Sequence, residues 1–161
     1  MANQAPNPLV AEPAITKAIL LVGGKGTRLA PLTDVTPKPM LKVAGKPVTE
    51  HQIVKAREAG ITHLVLATSY LAEVFEPYFG DGSRFGISIT YAVEKEPLGT
   101  GGAIANAADQ LEISDNESIL IFNGDVLSGH DLKAQIALHQ EHNADVTLYL
   151  TRVEDPRAYG C

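Results

Sequence analysis

Short apolar runs alternate with longer amphipathic ones along this chain, and no other feature narrows its possible folds as much. The apolar runs are KAILLV (17–22), THLVLAT (62–68), ISITYAV (87–93), SILIFN (118–123) and DVTLYLT (145–151). Each has strand length and is rich in β-branched or large aliphatic side chains. Between them lie helix candidates: PVTEHQIVKAREAG (47–60), with Pro47 near its first turn and Gly60 at its stop; LAEVFEPYFG (71–80), bent or ended at Pro77; GAIANAADQL (102–111); and DLKAQIALHQEH (131–142). Strand, helix, strand in this order is the pattern of an α/β protein, a mostly parallel sheet with helices on both faces.

In an open sheet of this kind, ligands bind outside the carboxyl ends of the strands. The unusual segments of the sequence fall there. GGKGTR follows the first run, EKEPLGTGG the third, and NGD closes the fourth. Segments up to a hundred residues apart are therefore expected to meet at one crevice.

Charge says what that crevice holds. From Lys25 to Lys46 the chain carries five of its 13 basic residues and one of its 19 acidic ones, +4 in a chain of net −6. The rest is −10, so the positive charge is local and suits a compact anion such as a phosphate chain. The overall acidity argues against nucleic acid as the main partner, which wants a broad basic face. At 161 residues and 45% hydrophobic composition, one core is expected over 15–161, preceded by a disordered lead-in at 1–14. No apolar run approaches a membrane helix, and the first residues lack the features of a signal peptide, so no membrane partner and a cytoplasmic location are expected. The single Cys161 carries no redox argument.

Within GGKGTRL, Gly23, Gly24 and Gly26 allow backbone N–H groups to approach phosphate oxygens, and Arg28 adds a planar fork. An ordinary tight turn would need the glycines but neither Lys25 nor Arg28. Neither of the standard nucleotide loops matches: Leu29 stands where a third Rossmann glycine would be, and no G-x-x-x-x-G-K-[ST] occurs. In TPKPM, two prolines hold Lys38 at a set position, as a point-charge phosphate contact requires; alone it reads equally well as a solvated loop lysine. Asp125 ends an apolar strand and offers a carboxylate to the crevice mouth, where Mg²⁺ needs few protein ligands beside phosphates and waters. A capping or turn role for it is the plainer alternative.

EKEPLGTGGAI joins three glycines to a helix start, with Glu94 and Glu96 just ahead. Guanine presents two adjacent N–H donors that a carboxylate matches in bidentate fashion, which leans towards GTP. Either glutamate could equally belong to an acidic surface loop, and Glu94 lies nearer the strand end. His139 and His142 lack a ligand set at zinc spacing and read as solvated helix residues.

GGKGTRLAPLT with PKPM, then EPLGTGGA and NGD, in this order and at these separations, resembles the sugar-1-phosphate nucleotidyltransferases, and within them the mannose-1-phosphate guanylyltransferases. The resemblance runs from about Ile15 to the last residue. It implies a Rossmann-like three-layer α/β sandwich of nucleotidyltransferase type. It also implies a nucleotide site made of Leu21, Gly23, Gly24, Gly26, Thr27, Arg28, Lys38, Glu94, Gly99 and Thr100. Gly23, Gly24 and Gly26 would cradle the nucleotide, Glu94, Gly99 and Thr100 would lie against the base, and Asp125 would hold Mg²⁺. Arg28, Lys38 and Asp125 are then the catalytic set, and the substrates a nucleoside triphosphate and a sugar 1-phosphate, with GDP-mannose the favoured product.

Family members usually run to twice this length or more, and their second half supplies a further metal-binding Asp, a Lys for the sugar phosphate and the sugar pocket. VEDPRAYGC resembles the strand just before that segment. The chain is therefore read as a truncated N-terminal part, inactive alone, with homo-oligomerisation a possibility for a full-length form. Two alternatives stay open: a UDP- or dTDP-glucose pyrophosphorylase, and a non-catalytic regulatory subunit that senses nucleotide sugars.

Overall fold

The computed structural model describes residues 15–24, 26–69, 71–96, 98–114, 116–155 and 157. The expected lead-in at 1–14, Lys25 and the final AYGC lie outside them. The described chain divides into two compact units, between His130 and Asp131.

In the first unit, β1 (Lys17–Leu21) is central because it is apolar on both faces: Ala18, Ile19 and Leu20 have no exposed surface. It pairs in parallel with β4 (His63–Thr68) on one side and β6 (Leu120–Asn123) on the other. Beyond β4 lies β5 (Ser88–Val93), also parallel, giving the order β5-β4-β1-β6. On one face Ile19, Val65, Ala67 and Ala92 pack with Ala107 of α3 (Gly99–Ala108) and with Leu111 just beyond it. On the other, Ala18, Leu20, Leu64 and Leu66 are equally buried. Full burial of each large aliphatic side chain is worth about 1.5–3 kcal/mol. The parallel α/β expectation holds, and the order reverses beside β1, which opens a crevice at the carboxyl ends there.

The connection from β1 to the first helix is long. It contains two 3₁₀ turns, Thr27–Leu29 and Lys38–Met40, then a small antiparallel hairpin of β2 (Lys42–Val43) and β3 (Lys46–Pro47) that sequence reasoning did not anticipate. Helix α1 (Val48–Glu58) follows, burying Val48, Thr49, Gln52, Ile53 and Ala56 on one face. It stops as expected at Gly60, whose φ of 102° few other residues accept. The helix expected over 71–80 is only α2 (Glu76–Phe79), after a 3₁₀ turn at Ala72–Val74. Pro77 opens this helix rather than ending it, since its missing N–H is not needed in a first turn.

In the second unit, α4 (Leu132–Glu141) is capped by the Asp131 carboxylate, which accepts from Lys133 N at 2.9 Å and Ala134 N at 3.1 Å. The strand expected over 145–151 does not form. Among the described residues it has no ladder partner. Val146, Leu148 and Leu150 are 72%, 74% and 80% exposed, and the Thr147 carbonyl accepts from Gln135 Nε2 at 3.1 Å. Apolar alternation marks a segment able to be a strand, but the ladder has to come from a neighbour. No described helix is long and apolar enough to cross a membrane.

Candidate active site

Each arm of the site begins where a strand ends. Past β1, Val22 N–H donates to the Ala67 carbonyl at 3.0 Å, carrying the ladder one residue further before the glycines begin. Gly24 N–H meets the Ser69 hydroxyl at 3.3 Å. Gly26 turns the chain with φ 59°, and a Cβ there would lie 3.1 Å from side-chain carbons of both Lys38 and Thr33. Glycine is needed at this point for conformation and for space together. The Thr33 hydroxyl donates to the Gly26 carbonyl at 3.0 Å and folds the loop back.

Lys38 opens its own 3₁₀ turn, closed by Met40 N–H donating to the Pro37 carbonyl at 2.8 Å, with Pro39 and Met40 buried beneath. Asp125 follows Gly124, whose N–H donates to the Leu21 carbonyl at 2.8 Å. A Cβ on Gly124 would lie 2.5 Å from Val22 Cγ1 and 2.8 Å from the Leu21 carbonyl oxygen, so only glycine lets the chain leave β6 this close to β1. The two arms meet in an ion pair: Lys38 Nζ donates to Asp125 Oδ2 at 2.7 Å.

The third arm leaves β5. Glu94 N–H donates to the Thr68 carbonyl at 2.9 Å, and its carboxylate accepts the Leu98 N–H at 3.2 Å, closing the turn into α3. Gly99 and Thr100 occupy the first turn of that helix, where N–H groups lack intrahelical partners.

These arms border one cleft of about 1120 Å³. Of the residues singled out from sequence, Leu21, Gly23, Gly24, Gly26, Arg28, Lys38, Glu94, Gly99, Thr100 and Asp125 all line it; Thr27 is not among the lining residues. Sequence reasoning missed Ser69 and Asn123. Both stand at the carboxyl ends of strands, β4 and β6, and that position was the available signal.

An open parallel sheet with a crevice at its carboxyl ends, lined by glycine-rich backbone, the cations Arg28, Lys38 and Lys95 and the carboxylates Glu94, Glu96 and Asp125, defines an α/β protein of Rossmann-like type. The chain belongs to the nucleotidyl transferase family, whose profile matches residues 17–161. It is 55% identical over 144 residues to the mannose-1-phosphate guanylyltransferase of Mycobacterium tuberculosis, covering 89% of this chain and 39% of that protein. It is 41% identical over 146 residues to the mannose-1-phosphate guanylyltransferase catalytic subunit beta of Danio rerio, covering 89% and 40%. The chain thus spans about two fifths of the length of these relatives. Among solved structures it is similar to HddC from Yersinia pseudotuberculosis complexed with GMP-PN (TM-score 0.67, 31% identity, 78% of this chain and 54% of that one). It is also similar to a UDP-glucose pyrophosphorylase complexed with UDP-glucose (TM-score 0.67, 25% identity, 80% and 55%).

Proposed function

We propose that this chain carries the nucleoside triphosphate site of a sugar-1-phosphate nucleotidyltransferase, with GTP and mannose 1-phosphate the favoured substrates. The observation that carries the reading is the convergence of Arg28, Lys38 and Asp125 on a cleft that Glu94 and Thr100 also line. Cations and glycine backbone suit the phosphates, and the Glu94 and α3 end suits a base. The guanylyl and mannosyl choice draws on the names of these relatives.

In the reaction, an oxygen of the sugar 1-phosphate attacks the α-phosphorus in line. A new P–O bond forms as the bond to the β-phosphate oxygen breaks, and pyrophosphate leaves. The glycine loop holds the triphosphate. Arg28 and Lys38 stabilise the charge that builds up on the departing pyrophosphate. No side chain needs to become a covalent intermediate.

The donor set fits Mg²⁺. A cation beside Asp125 would take its other ligands from phosphates, water and any carboxylate outside the described residues, as Mg²⁺, which needs few protein ligands, does. Bound there, Mg²⁺ supplies charge neutralisation on the phosphates.

A regulatory, nucleotide-sugar-sensing role is the competing reading. Retention of Arg28, Lys38 and Asp125 together favours the enzyme, since a sensor does not need all three. The test is pyrophosphate release from GTP, UTP, dTTP, ATP and CTP with mannose and glucose 1-phosphates, using a protein of the relatives' length that contains this chain. Fastest turnover with GTP and mannose 1-phosphate is expected. Fastest turnover with UTP or dTTP would move the assignment to the glucose enzymes, and nucleotide-sugar binding without turnover would establish the sensor. The 161-residue chain alone is expected to bind Mg²⁺-nucleotide weakly and to form no nucleotide sugar.

A further inference from the structure

Helix α1 is not one of the three arms, yet it grips both halves of the Lys38–Asp125 pair. Thr49, fully buried, donates its hydroxyl to the carbonyl of Pro39 at 2.9 Å, one residue after Lys38. Gln52, 5% exposed, donates its side-chain amide to the carbonyl of Val126, one residue after Asp125. Lys55 donates to the Ser128 carbonyl at 2.8 Å and to its hydroxyl at 3.3 Å. Positions 49, 52 and 55 are spaced by three and follow one ridge of the helix. Asp125 is therefore suspended between Gly124, bonded to β1, and Val126, bonded to α1. Lys38 stands between its two prolines with Thr49 holding the second.

Two buried polar side chains on a helix face otherwise made of Val48, Ile53 and Ala56 call for a reason. Apolar side chains of similar size would pack there without needing partners. Nor does the ion pair explain how its own halves are held: its side chains are 38% and 40% exposed, and exposed pairs contribute little to stability. The loops must be placed by other contacts.

We infer that Thr49 and Gln52 are positioning residues that set the separation of the Lys38 and Asp125 loops, from which the two side chains reach each other or a ligand held between them. The inference rests on the reading of the cleft as a Mg²⁺-triphosphate site. There, one ligand must meet a cation on one loop and a metal-bound carboxylate on another, and a single rigid helix bracing both loops fixes that distance.

The test uses two readouts on the chain. The first needs no nucleotide: limiting acetylation of Lys38 by acetic anhydride, measured by mass spectrometry relative to Lys133. Asp125→Asn sets the unpaired rate, expected roughly two- to fivefold faster, the scale of an exposed ion pair. Thr49→Val and Gln52→Met, which keep volume and remove the donor, are expected to move Lys38 towards that rate, while Thr49→Ser stays at the wild-type rate. General destabilisation would instead raise labelling at every lysine. If Asp125→Asn accelerates Lys38 and both donor-less variants stay at wild type, or if Asp125→Asn itself has no effect, the inference is overturned.

The second readout is calorimetric titration of GTP in Mg²⁺ and in EDTA. Thr49→Val and Gln52→Met are expected to lose on the order of tenfold of the Mg²⁺-dependent gain, with metal-free affinity unchanged, the scale seen for groups that orient metal ligands. An unchanged Mg²⁺-dependent gain in both variants counts against the inference. A wild-type chain with no Mg²⁺-dependent GTP binding would overturn the reading of the site, and the brace would then stand or fall on the acetylation result.

Discussion

Lys38 Nζ lies 2.7 Å from Asp125 Oδ2 across 87 residues of sequence. Without ligand, each charge is the other's partner. A Mg²⁺-triphosphate bound between them would replace one ion pair by two stronger contacts, metal to carboxylate and ammonium to phosphate.

Asp125→Asn removes one of those contacts and keeps the shape. Because the pair is exposed, fold stability should change by less than about 1 kcal/mol. In an active full-length protein, kcat should fall by at least ~100-fold. Denaturation curves and steady-state kinetics on the same preparation check both halves. Near wild-type turnover would discard the metal assignment.

Arg28→Ala is expected to cost about 2–4 kcal/mol of transition-state stabilisation, because contacts to the leaving pyrophosphate tighten as charge develops. The signature is a loss in kcat. A rise in KM with kcat held would make Arg28 a binder of ground and transition states alike.

Glu94 has a structural task as well, since its carboxylate accepts the Leu98 N–H at 3.2 Å. Gln keeps an acceptor for that bond, so Glu94→Gln should fold normally. If the carboxylate also reads guanine, the substitution leaves one base donor unpaired and costs roughly 1–3 kcal/mol in GTP binding. Competition between GTP and UTP measures it, and unchanged selectivity would confine Glu94 to the turn.

Glu50 gives a pH dependence. It accepts from the Tyr78 hydroxyl and pairs with Lys46, each at 2.9 Å. Burial pushes its carboxyl up, but the hydrogen bonds from Lys46 and Tyr78 together with the nearby Lys46 and Arg84 charges outweigh it and leave the pKa below the ordinary 4.5. A depressed folded pKa stabilises the fold above the ordinary value, and that contribution fades as pH falls through it towards the folded value. Glu50→Gln should therefore cost about 1–3 kcal/mol at neutral pH. Thermal melts of both proteins should converge as pH drops below 4.5. A constant difference in Tm would mean that the carboxylate charge is not what stabilises.

Thr68, with no exposed surface at the end of β4, has a hydroxyl without a partner among the described residues. Thr68→Val keeps the shape and removes that buried polar atom. It is expected to be neutral or to stabilise by about 1 kcal/mol. Clear destabilisation in urea titrations would reveal a partner for the hydroxyl.

The sequence by itself determined what depends on near neighbours. Apolar runs of strand length around 17–22, 62–68, 87–93 and 118–123 specified a parallel sheet, because strands buried on both faces must be apolar throughout. Gly26, Lys38 between its prolines and Asp125 after its strand were legible because glycine, proline and a strand-end carboxylate act on their own backbone. Only the tertiary structure decided which of these would touch. The separation of the Lys38 and Asp125 loops depends on β6 pairing with β1 and on Thr49 and Gln52 reaching from α1 to both, and neither leaves a local pattern, since a buried Gln on a helix reads like any polar residue. The same reason explains the misread segment at 145–151. Its alternation is a property of seven residues, whereas a strand is a property of two segments, and hydrogen bonds to a neighbour are not written in either one alone.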